Sequence, residues 1–226
     1  MDKYIIFSPE TKGAFNDRLN FLYLKLGDYL DIEKLKHRSL QYCKVFLSDS
    51  QNQIKEFKES LLFQEILSHT NLTIVEQTPL SGSKVSLLVK TTDAQTPILF
   101  KSLRISEEEA KGKDSYEQTH LLFDRYLQLL DEYNKQHGDD KLTIARNLVR
   151  TWIYVTNIDV NYQGVVDARN DVFDNQGLTA DTHYIASTGI GGATPTRHAA
   201  VGIDFLTVPG IKEEDKHYLQ ALDHLN

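Results

Sequence analysis

The sequence predicts an α+β fold built as two tandem modules. Three observations carry that reading. A long helix, a strand, a shorter helix and two closing strands recur in the same order in each half. The run "QYCKVFLSDS" lies in register on "VRTWIYVTNI" at a shift of 108 residues, so that Val45 meets Ile153, Phe46 meets Tyr154 and Ser48 meets Thr156. A turn-rich stretch, "TTDAQTP" at 91–97, separates the halves.

In the first half "FNDRLNFLYLKLGDYL" sets Phe15, Leu19, Leu22, Leu26 and Tyr29 at helical spacing. "LQYCKVFL" then reads as a strand, Ser50 as the cap of the shorter helix "QNQIKEFKESLLF", and "LTIVEQ" and "KVSLLVKT" as the closing strands. In the second half "THLLFDRYLQLLDEY" repeats the helical spacing with Leu122, Tyr126, Leu129, Leu130 and Tyr133. "NLVRTWIYVT" is its strand, Asp159 or Asn161 caps "YQGVVDARNDVF", and "HYIASTGIG" and "AAVGIDFLTV" close the module. The expected boundaries are a degenerate module over 1–95, a better preserved one over 96–210, and a tail or linker over 211–226.

At 226 residues the chain is long enough for two modules of roughly 100 residues, each with a modest core. Its formal charge is −7 and no Lys/Arg cluster forms a basic stripe, which argues against nucleic acid as a partner. A single cysteine, Cys43, excludes an intramolecular disulfide and a thiolate metal site. The start "MDKYIIFSPE" lacks a secretory layout, and no apolar run approaches the roughly 18 residues of a membrane helix. The expectation is a cytoplasmic protein without membrane contact. His183, His198, His217 and His224 are scattered without ligand spacing, so neither a metal nor a cofactor is expected. "SEEEAKGKD" at 106–114 is an acidic helix start, favourable at the positive end of the helix dipole.

Alternation assigns faces to the strands. Val149, Thr151, Ile153 and Val155 form a core side, while Arg150, Trp152 and Tyr154 form the other. The same device appears in the first half as Tyr42, Lys44 and Phe46, with Cys43 a small core residue beside Val45 and Leu47. A cation beside large aromatics with polar tips suits either a ligand cleft or packing against a neighbouring sheet. "TGIGGATPTRHAA" at 188–200 leads into an apolar strand and lacks the Gly-Lys-Ser/Thr of a phosphate loop, so it reads as a strand end and a turn. Either Thr188, Gly189 and Gly191 shape a pocket wall near Trp152 and Tyr154 and offer amide N–H groups to an anion, or the glycines serve sheet packing alone. For Arg169 two roles stay open: reaching a ligand carboxylate, or an exposed ion pair with Asp167 or Asp171. No residue is assigned as catalytic.

The runs "VRTWIYVTNI", "VVDARNDVF" and "HYIASTGIGG", with the helix "YEQTHLLFDRYLQLLDEY" before them, resemble the RidA/YjgF superfamily over roughly 97–208 and, more weakly, over 1–92. Arg150-Thr151-Trp152-x-Tyr154, Arg169 and Ala186-x-Thr188-Gly189-Ile190-Gly191 are most similar to the chorismatase-like branch. The resemblance implies two RidA/YjgF-like (chorismate-mutase-like) modules, each a mixed sheet with two helices over one face. It implies a hydrolase for a small carboxylated enol ether such as chorismate, of which this chain is the N-terminal part. It also implies a ligand site at Arg150, Trp152, Tyr154, Arg169, Ser187, Thr188, Gly189 and Gly191. The alternatives are a RidA-type enamine or imine deaminase and a non-catalytic small-ligand or scaffold module. Three departures bear on the activity. Ser187 stands where imine deaminases carry a carboxylate-binding arginine, Gly189 where they commonly carry a cysteine, and Ile153 where the family motif has Asn. Members of the superfamily close three modules into a ring with clefts between neighbours. The expected partners are therefore a small carboxylated metabolite and a third RidA-like module, supplied either by the same, longer polypeptide or by another subunit, with the isolated chain oligomerising through an exposed sheet face.

Overall fold

A computed structural model describes residues 1–9, 12–138 and 141–218. The first half contains β1 (Lys3–Phe7), α1 (Phe15–Leu35), β2 (Ser39–Leu47), α2 (Ser50–Glu59), β3 (Leu72–Glu76) and β4 (Val85–Thr92), with a π turn and a 3-10 turn between α2 and β3. The second contains β5 (Leu99–Leu103), the short α3 (Glu107–Ala110), α4 (Ser115–His137), the short α5 (Ile144–Asn147), β6 (Leu148–Val155), α6 (Ile158–Asn175), β7 (Ala186–Gly191) and β8 (Val201–Thr207). The result is an α+β chain with two four-stranded mixed sheets. Their orders are β1-β4-β2-β3 and β5-β8-β6-β7. In each sheet the last pair is parallel and the other two are antiparallel.

The two halves repeat down to an irregularity. The ladder between β2 and β4 slips between Leu40 and Tyr42, and that between β6 and β8 slips between Leu148 and Arg150. These positions correspond under the same 108-residue shift. A bulge leaves one residue unpaired and changes which side chains face the core. Here Val149 is the extra residue, so Leu148, 2% exposed, takes the core place that simple alternation assigns to Val149.

One helical layer covers each sheet. In the second half Leu122, Phe123, Tyr126 and Leu130 of α4 and Val165, Val172 and Phe173 of α6 pack on Ile153, Val155, Val201, Ile203 and Phe205. Phe205 stacks on Tyr126 at 4.0 Å between ring centroids and meets Phe123 edge-on. The first half does the same with Phe15, Leu19, Leu22 and Leu26 of α1 on Cys43, Val45, Leu47, Leu87 and Val89. Cys43 is fully buried, and burial pushes its thiol pKa up.

Several local expectations differ from the structure. Each half opens with a strand, β1 and β5, that the helix-first reading omits. Both are five-residue edge strands, too short to stand out from their flanks. The cap of α2 is Asp49, whose side chain accepts from Asn52 N–H. Ser50 is the first helical residue, and its N–H and hydroxyl donate to Glu76. Helix α6 starts at Ile158 after a left-handed Asn157, ahead of both Asp159 and Asn161. Strand β7 holds only the last six residues of its predicted run. Of the predicted tail, 211–218 carries a 3-10 turn at Glu213–Asp215, while His224 and the rest of 219–226 lie outside the described residues. No helix among the described residues is long and apolar enough to cross a membrane.

The faces away from the helices meet each other. Tyr42 stacks on Phe100 at 5.0 Å and touches Trp152 edge-on at 6.0 Å. A backbone bridge joins Glu76 to Ala193, and Gln51 donates to the Pro195 carbonyl. Gly192 permits this seam, because a Cβ there would lie 3.0 Å from Val75 Cγ2. The expectation of an exposed aromatic and cationic face is therefore corrected for three of its six residues, while Phe46, Arg150 and Trp152 stay half-buried. Tyr42 and Lys44 are 3% exposed and Tyr154 is 1% exposed, each against the other half of the same chain.

Truncating Phe205 to Ala in the fully buried α4 to β8 stack is expected to lower stability by about 3–5 kcal/mol. A lowered urea midpoint with an unchanged slope checks it. A loss below about 1 kcal/mol would mean that the core collapses around the vacancy.

Candidate functional site

The site lies where the two sheet faces converge. Beside the seam an open cleft of about 350 Å³ is lined by Tyr4, Tyr42, Lys44, Phe46 and Leu88 from the first half. Arg150, Trp152, Tyr154 and Ile190 line it from the second. Alternation along β2 and β6 delivers Tyr42, Lys44 and Phe46 to one wall and Arg150, Trp152 and Tyr154 to the other.

Its floor is a buried polar network centred on Asp204 of β8, which is fully buried. Asp204 Oδ2 accepts from Thr73 Oγ1 at 2.7 Å, from Lys44 Nζ at 3.1 Å and from the Tyr154 hydroxyl at 3.2 Å. Arg104 Nη2 reaches Oδ1 at 3.2 Å. Lys44 also donates to the Tyr154 hydroxyl at 2.7 Å, and its Nζ sits 3.8 Å from the centroid of the Trp152 ring. Removal from water lowers the Lys44 pKa to about 8; Asp204 opposes that shift, while Arg104 and Arg150 add to it. Burial pushes the Tyr154 phenol up, with the Asp204 charge second, so it stays protonated.

Arg150 is different in kind. Its guanidinium lies 4.8 Å from the Trp152 ring centroid. Its Nε is buried without a hydrogen-bond partner, and among the described residues no carboxylate pairs with it. Lys44 and Arg104 thus share one buried carboxylate, and Arg150 adds a third positive charge close enough to act on Lys44, on a chain whose formal charge is −7. Positive charge is in local excess there, and a low-dielectric cleft concentrates its field on an incoming anion.

The eight predicted site residues divide into groups. Arg150, Trp152 and Tyr154 converge at the cleft. Thr188 pairs with Trp152 in the parallel ladder and lies exposed at the strand edge beside it. Ser187, Gly189 and Gly191 pair with Thr151, Ile153 and Val155, which puts them on the helix side. Ser187 accepts from the Thr151 hydroxyl at 2.8 Å. A Cβ on Gly189 would lie 2.4 Å from Tyr162 Cε2, so that glycine admits a side chain of α6, whereas one on Gly191 would meet Ile158 at an ordinary contact distance of 3.5 Å. They do not form a wall beside Trp152. Arg169 is remote as well: it binds the neighbouring Asn170 Oδ1 at 2.9 Å and lines a separate groove with Ser187 and Phe173. Neither Asp167 nor Asp171 is its partner. Those two carboxylates serve Gln163 and Tyr116. The backbone after the glycines is held by Gln118, whose side chain donates to the His198 carbonyl and accepts from the Ala200 N–H.

Sequence reasoning missed Asp204, Arg104 and Thr73. The available signal was a lone carboxylate inside the apolar run "AAVGIDFLTV". Among the described residues no group of three or more potential metal ligands occurs.

No family model matches the chain, and no curated protein matches it. Solved structures do. A chorismatase superposes with a TM-score of 0.50 at 13% identity, covering 94% of this chain and 55% of that one. The chain therefore spans about half the length of that chorismatase. TdcF from E. coli with bound serine matches at a TM-score of 0.37 and 16% identity over 53% of this chain and 85% of that one. A cyanuric acid hydrolase matches at 0.40 and 11% over 92% and 68%. At these identities the chorismatase match is a likeness of fold.

Two outcomes are expected for the network. Asp204→Ala leaves Lys44 and Arg104 without their shared carboxylate and should lower stability by about 3–5 kcal/mol in urea unfolding; a loss under about 1 kcal/mol would mean that the network is dispensable. The second concerns pH. Lys44 titrates near 8 when folded and near 10.5 when unfolded, so between those values the unfolded chain binds a proton that the folded chain lacks. Stability of the parent relative to Lys44→Met should therefore rise from about pH 8 to about pH 10.5. A difference that stays flat across that window would show an amine with an ordinary pKa.

Proposed function

We propose that the protein is a RidA-like tandem protein that binds a small carboxylated metabolite in the cleft between its halves, and that its reaction is hydrolysis of an enol ether of the chorismate class. The observation that carries this reading is Arg150, an unpaired guanidinium at the mouth of an aromatic cleft. A guanidinium in that setting recognises a carboxylate through two parallel hydrogen bonds. Trp152 and Tyr42 offer ring faces to a planar unsaturated body. Lys44 and Tyr154, already hydrogen-bonded to each other, hold protons near the polar end of such a ligand. The chorismatase likeness supplies the reaction class, and the cleft supplies groups suited to it. Deamination finds less support, because Ser187 lies on the helix side and brings no cation to the cleft.

The chain contains one tryptophan, so its fluorescence reports the cleft directly. Titration with chorismate should quench Trp152 saturably, and Arg150→Ala should weaken binding by about tenfold to hundredfold, the worth of a charge-assisted hydrogen bond. Release of a carboxylated product alongside saturable quenching marks a hydrolase; saturable quenching alone marks a binding module. Quenching that does not saturate, or that Arg150→Ala leaves unchanged, would remove the carboxylate reading.

A further inference from the structure

We propose that Lys44 is a covalent site: its Nζ forms an imine with a small carbonyl-bearing carboxylate, such as a 2-oxo acid, held in the cleft by Arg150. The carboxylate part rests on the binding reading above; the covalent part rests on the surroundings of Lys44 itself.

The amine sits at the base of an open cleft and not within the helix-covered core. It is 2.7 Å from a hydroxyl that can relay a proton and 3.1 Å from a carboxylate that can take one. Tyr154 and Asp204 are in turn 3.2 Å apart, which closes a three-membered relay around Nζ. The groups facing Lys44 are Asp204, Tyr154, Arg104 and Arg150, with the rings of Tyr42 and Trp152 over its stem and head. Burial and two cations outweigh the pull of Asp204 and favour the neutral amine, which is the nucleophile. A lysine serving only to neutralise Asp204 would be redundant, since Arg104 already binds the other carboxylate oxygen.

The chemistry balances without a further reagent. The Nζ lone pair attacks the carbonyl carbon, forming a C–N bond while the carbonyl π pair moves to oxygen. One Nζ proton passes through the Tyr154 hydroxyl to that oxygen, giving a carbinolamine. The C–O bond then breaks as the nitrogen lone pair forms C=N, and the oxygen leaves as water after taking the second proton through the same relay. An amine and a carbonyl become an imine and water.

The test is reductive trapping on the intact chain. Glyoxylate and, separately, propionaldehyde are added at about pH 8 with cyanoborohydride, and labelled lysines are mapped by peptide mass spectrometry. Lys44 should be labelled by glyoxylate at least about tenfold faster than any exposed lysine, whose neutral fraction at that pH is under about 1%. The preference should vanish in urea. Label spread evenly over the lysines, or absent from Lys44 with both aldehydes, overturns the proposal whatever the tryptophan titration shows. Arg150→Ala should slow the glyoxylate reaction by about tenfold more than it slows propionaldehyde, whose smaller loss reports the Lys44 pKa rising once a neighbouring cation is gone. Equal labelling of Lys44 by both aldehydes, in parent and variant, keeps the imine and removes the role of Arg150. Because the mapping is done on the parent chain, the imine result does not depend on whether a variant folds.

Discussion

Asp204 is the constraint on which the arrangement of the two halves depends. A fully buried carboxylate is tolerable only when hydrogen bonds and opposite charge replace the water it has lost. Its partners come from both halves. Lys44 and Thr73 reach across from β2 and β3, while Tyr154 and Arg104 come from its own side. Apolar contact between two sheet faces tolerates sliding, but four donors converging on two oxygens do not. The position of Asp204 therefore sets the register in which Tyr42 meets Trp152 and Phe100, and hence the shape of the cleft.

The repeated sheet order makes this possible because matched positions carry different residues. Leu88 is paired with Lys44 and with Ile6 in the first sheet, and Asp204 is paired with Trp152 and with Ser102 in the second. Equivalent places in the two sheets thus carry Lys44 with Leu88 and Trp152 with Asp204. A symmetrical pair of lysines or of carboxylates would repel across the seam. The asymmetric assignment turns the same backbone positions into an ion pair and a cation resting on an indole.

The parts of the site that followed a period were legible in the sequence. Strict alternation placed Arg150, Trp152 and Tyr154 on one face and Tyr42, Lys44 and Phe46 on its counterpart, and both faces line the cleft. Alternation says nothing about which sheet lies opposite, so the pairing of the two faces, and Asp204 and Arg104 with it, stayed out of reach. Gly189 and Gly191 show the converse failure. A glycine signals that something comes close but not from which side; at Gly189 the neighbour is Tyr162 of the covering helix, and at Gly191 nothing comes closer than ordinary contact with Ile158. Val149 was misplaced because a bulge shifts the phase without changing composition. The opening strands were lost because five edge residues carry too little pattern.

What remains is why so polar a seam exists at all. Buried ion pairs are weak evidence of selection for stability, since well-packed apolar groups of similar volume commonly hold as well or better. Burial lowers the Lys44 pKa, and repulsion from the Arg104 and Arg150 charges adds to the cost of keeping it charged. The cost would fall if Arg150 were absent, because Asp204 keeps its four donors without it. Arg150 instead adds charge at the mouth of the cleft, against the indole and away from any carboxylate partner. Its contact with the Trp152 ring is favourable but leaves the charge without a carboxylate and Nε without an acceptor. An anion entering the cleft would supply the missing counter-charge, relieve the repulsion felt by Lys44 and complete the hydrogen bonding of the guanidinium in one event. The feature least useful for holding the halves together is the one best placed to meet a ligand.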